Sequence, residues 1–360
     1  MDRVRAWQSI YLPAELPAIL AKRRLYICTM PVPTPPAALP VSIPAAVATA
    51  SKTPLGAPAV APAPPPTSAA AWGLLLLLAA IWGTSFILMK KGLVVFSALE
   101  LGACRVSVAA LLLLPFALRH VGRVERSRFK WLALSGVVGT LLPAFLFAYA
   151  ETRLASGLAG VLNALTAVFA LLVGALLFGQ RLTGARTLGV GLGLLGTVVL
   201  MGLGGAGAAT APAGASNAWY GLYIVAATVG YGLSVNVIKY KLSGLKPLAV
   251  TAVLLLLIGG PALAYLLLGT GFVHKLTVAP GAWTAFGYIA LLATMSTAVA
   301  MVLFNKLIQQ STALFASSST YLIPIVALGL GALDGEAFNL WHAAGMAIIL
   351  AGVFIIHRAR

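Results

Sequence analysis

One arginine, Arg105, interrupts an apolar stretch that runs from about residue 98 to 118. A charge held at bilayer depth costs from about 2.5 kcal/mol upward, so such a residue faces protein or water and is a functional candidate by default. Its guanidinium could bind a carboxylate on a solute. It could equally neutralise Glu100 or Glu151, or snorkel along its stem to a polar interface. Uncharged polar residues recur at similar depth: Thr84, Ser85, Tyr149, Asn163, Asn236, Asn305, Tyr321 and the run Ser317, Ser318, Ser319. Together such groups can replace water around a polar solute; singly they also serve as interhelical contacts worth about 1 kcal/mol. The solute-binding candidates are therefore Arg105, Tyr149, Asn163, Asn236, Asn305, Ser317, Ser318 and Tyr321.

Other chemistries lack their residues. The two cysteines, Cys28 and Cys104, stand apart, with no CxxC or Cys/His cluster that would hold a metal. The four histidines (His120, His274, His342, His357) are scattered near segment ends. There is no GxxxxGK[ST] loop to cradle a nucleotide, and no cofactor is expected. A membrane enzyme acting on lipid would need clustered acids or histidines such as DDxxD or HxxxxD, and none occurs. A membrane partner or sensor would need a structured soluble domain. GxxxG spacings at Gly189/Gly193 and Gly331/Gly335 indicate close helix packing rather than a ligand site.

The elements that must position these residues are membrane spans. Hydrophobic residues make up 61% of the chain and charged residues 9%, against about 25% charged in a soluble domain. Ten apolar segments are predicted, at roughly 72–93, 98–118, 130–150, 154–178, 187–204, 217–238, 246–269, 282–304, 311–333 and 340–357. Runs such as LLLLLAA (74–80) lack the alternation of barrel strands. Pro115, Pro143, Pro261 and Pro324 are predicted to kink helices and free carbonyls. Lys90 and Lys91, at the end of the first helix, read as interfacial anchors. Residues 1–70 differ: Ala/Pro-rich over Pro31–Pro66, they suit a disordered, dispensable extension. A transit peptide or an early start codon are the alternatives for this tail.

The segments repeat. Aligning Trp72 with Trp219 also aligns Ala79 with Ala226 and Gly83 with Gly230, and Trp131 and Trp283 open the third and eighth segments. Residues 156–200 align without a gap on 312–356, pairing Gly179 with Gly335, Gly189 with Gly345 and Gly196 with Gly352. The expected fold is an all-α membrane protein of ten transmembrane helices, arranged as repeats at 71–207 and 217–358. Five helices per repeat is odd, so the second copy enters from the opposite side. With the N-terminus in the cytoplasm, the inside segments carry 13 Lys/Arg beyond the tail and the outside segments 4. That bias fits cytoplasmic loops. Both termini then lie inside, and Glu100, Glu151, Asp334 and Glu336 outside. The net charge of +17 is spread between segments rather than gathered on one face, so no nucleic-acid partner is expected.

IWGTSFILMKKGL (81–93), ELGACRVSVAALLLL (100–114), residues 148–196 from AYAETRLASG, YLIPIVALGLGALDGEAF (321–338) and GMAIILAGVFI (345–355) carry a family resemblance. They resemble the EamA repeat of the drug/metabolite transporter superfamily, over about residues 72–357. The resemblance implies a ten-helix carrier of the inner membrane, both termini inside, with a central cavity and often export of amino acids or other small metabolites. An organelle membrane is the alternative if the tail is a transit peptide. Arg105 stands where the family commonly has an arginine. Glu336 keeps the family's helix-end glutamate where the first half has Gln180, and Pro324 keeps a proline where the first half has Val168. The implied partners are a small-molecule solute and the lipid bilayer; a coupling proton or other ion and a homodimeric state are left open.

Overall fold

The computed structural model describes residues 69–180, 182–203, 219–310 and 319–358, with no statement made of a few side chains inside them. The predicted extension, apart from residues 69 and 70, lies outside the described residues, as do Ser317 and Ser318. Every described residue that has regular structure is helical. In chain order, with helix bounds as the membrane-crossing stretches, the elements are α1 (Ala69–Gly92), α2 (Ala98–Val121), α3 (Arg126–Glu151), α4 (Ser156–Phe178) and α5 (Gly184–Met201). They continue with α6 (Tyr220–Lys241), α7 (Pro247–Leu268) and α8 (Ala282–Phe304). α9 (Ser319–Leu333) and α10 (Leu340–Arg358) follow. The first eight are long and apolar enough to cross a membrane, and the apolar parts of the last two are shorter. The chain is thus a multi-pass, all-α membrane protein.

Local sequence explains several departures from regular helix. Ser97 caps α2: its Oγ accepts from the Glu100 N–H, and the Glu100 carboxylate accepts from the Ser97 N–H at 2.8 Å. Pro143 has no N–H to give, and the turn just before it, Val137–Leu141, widens to π geometry. Pro115, Pro261 and Pro324 lie inside continuous helices. α4 breaks at Ala164, between Ser156–Asn163 and Leu165–Phe178. α8 carries a π segment at Ala293–Val299 with no proline to explain it. A short helix, Phe272–Val278, precedes α8 and was not apparent in the sequence.

The helices pack in recurrent pairs: α2 on α7, α5 on α10, α1 on α9 and α8, and α6 on α4 and α3. In lipid no hydrophobic force drives one apolar helix onto another, so association relies on the close approach that small residues allow. At α5–α10 a Cβ on Gly189 would sit 2.6 Å from the Gly352 carbonyl oxygen, and one on Gly196 2.8 Å from that of Gly345. This bears out the packing expected of Gly189 and Gly193. Outward-facing leucines such as Leu176 (80% exposed) and Leu268 (88% exposed) present apolar surface that only lipid accommodates.

Candidate functional site

Arg105 projects from α2 onto the π segment of α8. Its Nε donates to Thr297 Oγ1 at 3.2 Å and its Nη2 to Ser296 Oγ at 3.5 Å. The Ser296 carbonyl accepts from Trp82 Nε1 of α1 at 3.1 Å. The widened turn thus turns two hydroxyls toward the arginine and a carbonyl toward the indole, as π turns at functional sites do. No carboxylate pairs with Arg105 among the described residues, and its other N–H groups have no acceptor there. A guanidinium offers five donors, so most of its capacity is unused. Tyr231 of α6 and Glu151 at the end of α3 interact with it electrostatically. An aromatic run of Phe86, Phe147 and Tyr231, with ring centroids 5.9 and 6.0 Å apart, joins α1, α3 and α6.

The alternatives for Arg105 are thereby narrowed. Glu100 is engaged elsewhere, by its own cap and by Lys275 Nζ at 2.7 Å. Nor does Arg105 snorkel, because its head group is held on α8. Glu151 is buried, and neither of its carboxyl oxygens has a hydrogen-bond partner among the described residues.

The other candidates disperse. Asn236 is fully engaged: its Nδ2 donates to the Ala170 and Gly232 carbonyls, both at 2.8 Å, and its Oδ1 accepts from Gln180 Nε2 at 2.9 Å. Tyr149 is 43% exposed and packs on Tyr220 and Tyr223. Asn163 is half-buried at the break in α4. One helical turn on, Thr166 has a buried hydroxyl without a partner. Asn305 and Tyr321 lie on α8's continuation and on α9, but their side chains are outside the described residues, as are Ser317 and Ser318 altogether. Sequence reading missed Ser296, Thr297, Trp82 and Tyr231; the adjacent hydroxyl pair within an apolar segment was the available signal.

A second cluster lies where α1 ends and α4 begins. Lys90 and Lys91, expected to be interfacial anchors, are instead ion-paired. Lys90 Nζ meets Glu336 at 2.8 Å and Asp334 at 2.9 Å, and Lys91 also bonds Asp334. Glu336 further accepts from Ser156 N–H (2.9 Å), Ser156 Oγ (2.8 Å) and Gly157 N–H (3.0 Å), the start of α4. A carboxylate suits the unsatisfied amides of a helix N-terminus. Burial raises the Glu336 carboxyl, but the bonds from Lys90, Gly157 and Ser156 bring it below its ordinary value. Bonds from Lys91 and Lys90 lower Asp334 as well. Gly331 leaves room for this carboxylate, since a Cβ there would collide with it. At the other end of α4 the corresponding residue, Gln180, holds Asn236 of α6 through a hydrogen bond between two neutral side-chain amides. Both turns follow a left-handed glycine, Gly179 (φ 67°) and Gly335 (φ 84°).

Comparison with known proteins adds a family and a fold. The model of the EamA-like transporter family matches twice, at residues 70–202 and 218–358. A "Probable terminal-alkyne amino-acid exporter" of Streptantibioticus cattleyicolor is 28% identical over 294 residues, covering 81% of this chain and 94% of that protein. An uncharacterized inner membrane transporter of Escherichia coli (strain K12) is 25% identical over 298 residues, covering 79% of this chain and 90% of that protein. One solved crystal structure superposes with a TM-score of 0.53 at 21% identity, covering 79% of this chain and 96% of that one, and shows the fold alone.

Proposed function

Because the chain belongs to the EamA-like transporter family, we propose that it is a secondary carrier exporting small polar or amphipathic metabolites, amino acids among them, by alternating access. That it is a membrane transporter rather than an enzyme follows from the family and from the transporters it resembles. The observation that carries the finer reading is Arg105: a guanidinium at membrane depth, oriented by two hydroxyls, with no carboxylate paired to it among the described residues. Such a group recognises an anionic function on a solute. The amino-acid class is supported by the relative from Streptantibioticus cattleyicolor, whose name states that cargo.

The architecture we propose is two inverted five-helix repeats, at 71–207 and 217–358, in the inner membrane with both termini cytoplasmic. Exchanging the repeats maps α1–α9 packing onto α6–α4 packing and leaves α2–α7 and α5–α10 as self-pairs. The same exchange turns the Gly189–Gly352 contact into the Gly345–Gly196 contact. Two halves related in this way can rock about a central site. The Lys90–Glu336 cluster then closes one end of the bundle and the Gln180–Asn236 bond lies at the other.

The test is uptake or release of radiolabelled amino acids by reconstituted vesicles, normalised to folded protein. Arg105→Ala is expected to abolish transport while the protein still folds. Arg105→Lys keeps the charge but loses the planar fork, so it should restore transport in part. Wild-type rates in Arg105→Ala would remove Arg105 from the site.

A further inference from the structure

The two ends of the bundle treat their cations differently. At the Glu336 end, Lys90, Lys91 and Lys275 are each paired with an acid. At the other end α2 finishes at Val121, α3 starts at Arg126, α6 finishes at Lys241 and α7 starts at Pro247. The connecting stretches there, residues 119–130 and 239–246, hold eight Lys/Arg and a single acid, Glu125. Glu125 meets Arg128, at 3.4 Å. Arg126, Lys130, Lys239, Lys241 and Lys246 are exposed, and none is ion-paired among the described residues. The protein therefore leaves a positive surplus at this end that it does not offset itself.

This surface is built rather than loose. Val124 and Leu242, one from each turn, are buried in the same apolar cluster beneath it. Arg128 Nη1 donates to the Ser243 carbonyl at 2.8 Å and ties the α3 start to the α6–α7 turn. Half-buried Trp131 collects the Nζ of Lys130 from α3 and of Lys241 from α6, each 5.4 Å from its ring centre. The ring face attracts each ammonium, but two like charges gathered on one indole repel. An anion between them turns that repulsion into attraction. The depth fits a lipid. Four spans end here, which puts Trp131 and the lysines at headgroup level, where Trp is enriched. Apolar surface adjoins the cations: Leu118, directly before Arg119, is 62% exposed, and Val235, one turn before Lys239, is 50% exposed. A free anion would use only the cations, whereas a phospholipid covers both.

We propose that this surface is a binding site for an anionic phospholipid, its phosphodiester held between Lys130 and Lys241 beside Trp131 and its acyl chains on the adjoining apolar faces. A zwitterionic headgroup brings its own ammonium and fits the surplus less well. α3 lies in the first family match and α6 in the second, so one headgroup bridges the two. The lipid then acts as a clasp at the end where protein side chains supply the neutral Gln180–Asn236 bond. Binding needs no solute, so its test is separate from that of the cargo.

The test is native mass spectrometry and thermal melting of the full chain in neutral detergent, titrated with phosphatidylglycerol or with phosphatidylcholine. Wild-type protein should retain phosphatidylglycerol in preference and melt at a higher temperature with it. A juxtamembrane Lys or Arg adds roughly a factor of five to the affinity for anionic lipid, so Lys130→Gln with Lys241→Gln should weaken binding about thirtyfold and abolish the melting shift. Lys130→Arg with Lys241→Arg keeps both charges and should bind as wild type, which separates charge from folding. Arg153→Gln, an exposed cation at the other end, is the control and should change nothing. Equal retention of the two lipids, or undiminished phosphatidylglycerol binding in the double Gln variant, overturns the proposal. So does an equal melting shift from inorganic phosphate or from glycerophosphoglycerol, the headgroup without chains, since the site would then take a soluble anion.

Discussion

Glu336→Gln isolates the ionic cluster. The Glu336 side chain is 1% exposed and accepts four bonds at 2.8–3.0 Å. Three of these, from Lys90, Ser156 N–H and Ser156 Oγ, converge on one oxygen, and the bond from the Gly157 N–H meets the other. An amide preserves most by keeping its oxygen toward the three. Its NH2 then faces the Gly157 N–H, donor against donor, and the ion pair with Lys90 becomes a charge–dipole contact. A hydrogen bond to a charged group is worth roughly 1.5–3 kcal/mol, so one lost and one weakened come to about 3 kcal/mol. Since every 1.4 kcal/mol is tenfold, the closed arrangement should lose about a hundredfold in population relative to the open one. Double electron–electron resonance between labels at Val94 and Leu340 reads that shift directly, and Lys90→Gln completes a double-mutant cycle. The pH dependence has a definite sign. Both folded-state carboxyls lie below their ordinary values of 4.5 for Glu336 and 3.8 for Asp334. Their stabilisation is complete above those values and is lost only as pH falls through the lowered folded ones. The wild-type cluster should therefore survive mild acid. If Glu336→Gln changes neither the label separation nor the melting temperature, the reasoning fails, because a buried anion cannot lose its charge at no cost.

Two further outcomes are expected. Reporters active only outside or only inside, fused after residues near Asn217 and Lys246, should read outside and inside respectively; the reverse at either site would remove the inverted-repeat architecture. Gly352→Leu should reduce the yield of monodisperse protein on size-exclusion chromatography. Its Cβ would lie 2.5 Å from the Gly189 carbonyl oxygen and 2.7 Å from the Gly193 nitrogen, and overpacking costs about 1–3 kcal/mol or more. Gly191→Leu, where an added Cβ meets nothing within 4 Å, is the control and should behave as wild type.

What the sequence determined by itself is what local composition can encode. Apolar runs of about twenty residues demand helices in lipid, because no water is there to satisfy the backbone. The segments at 72–93 and 98–118 accordingly appear as Ala69–Gly92 and Ala98–Val121. Arg105 stood out for the same reason: one charge in an apolar run is visible without knowing its neighbours. The tertiary structure decided who meets whom. Lys90 and Lys91 could not be told from interfacial anchors until the chain brought Glu336, 246 residues away from Lys90, against α1. Asn236 looked as available to a solute as Asn163, and it is the packing of α6 on α4 that uses up its hydrogen bonds. Ser296 and Thr297 were two hydroxyls among many until a π turn in α8 presented them to Arg105. Glu100 and Glu151 read alike, as acids near segment ends. A cap and Lys275 satisfy one and leave the other bare, because hydrogen bonding depends on ångström-scale positions that hydropathy, averaged over a whole span, does not record.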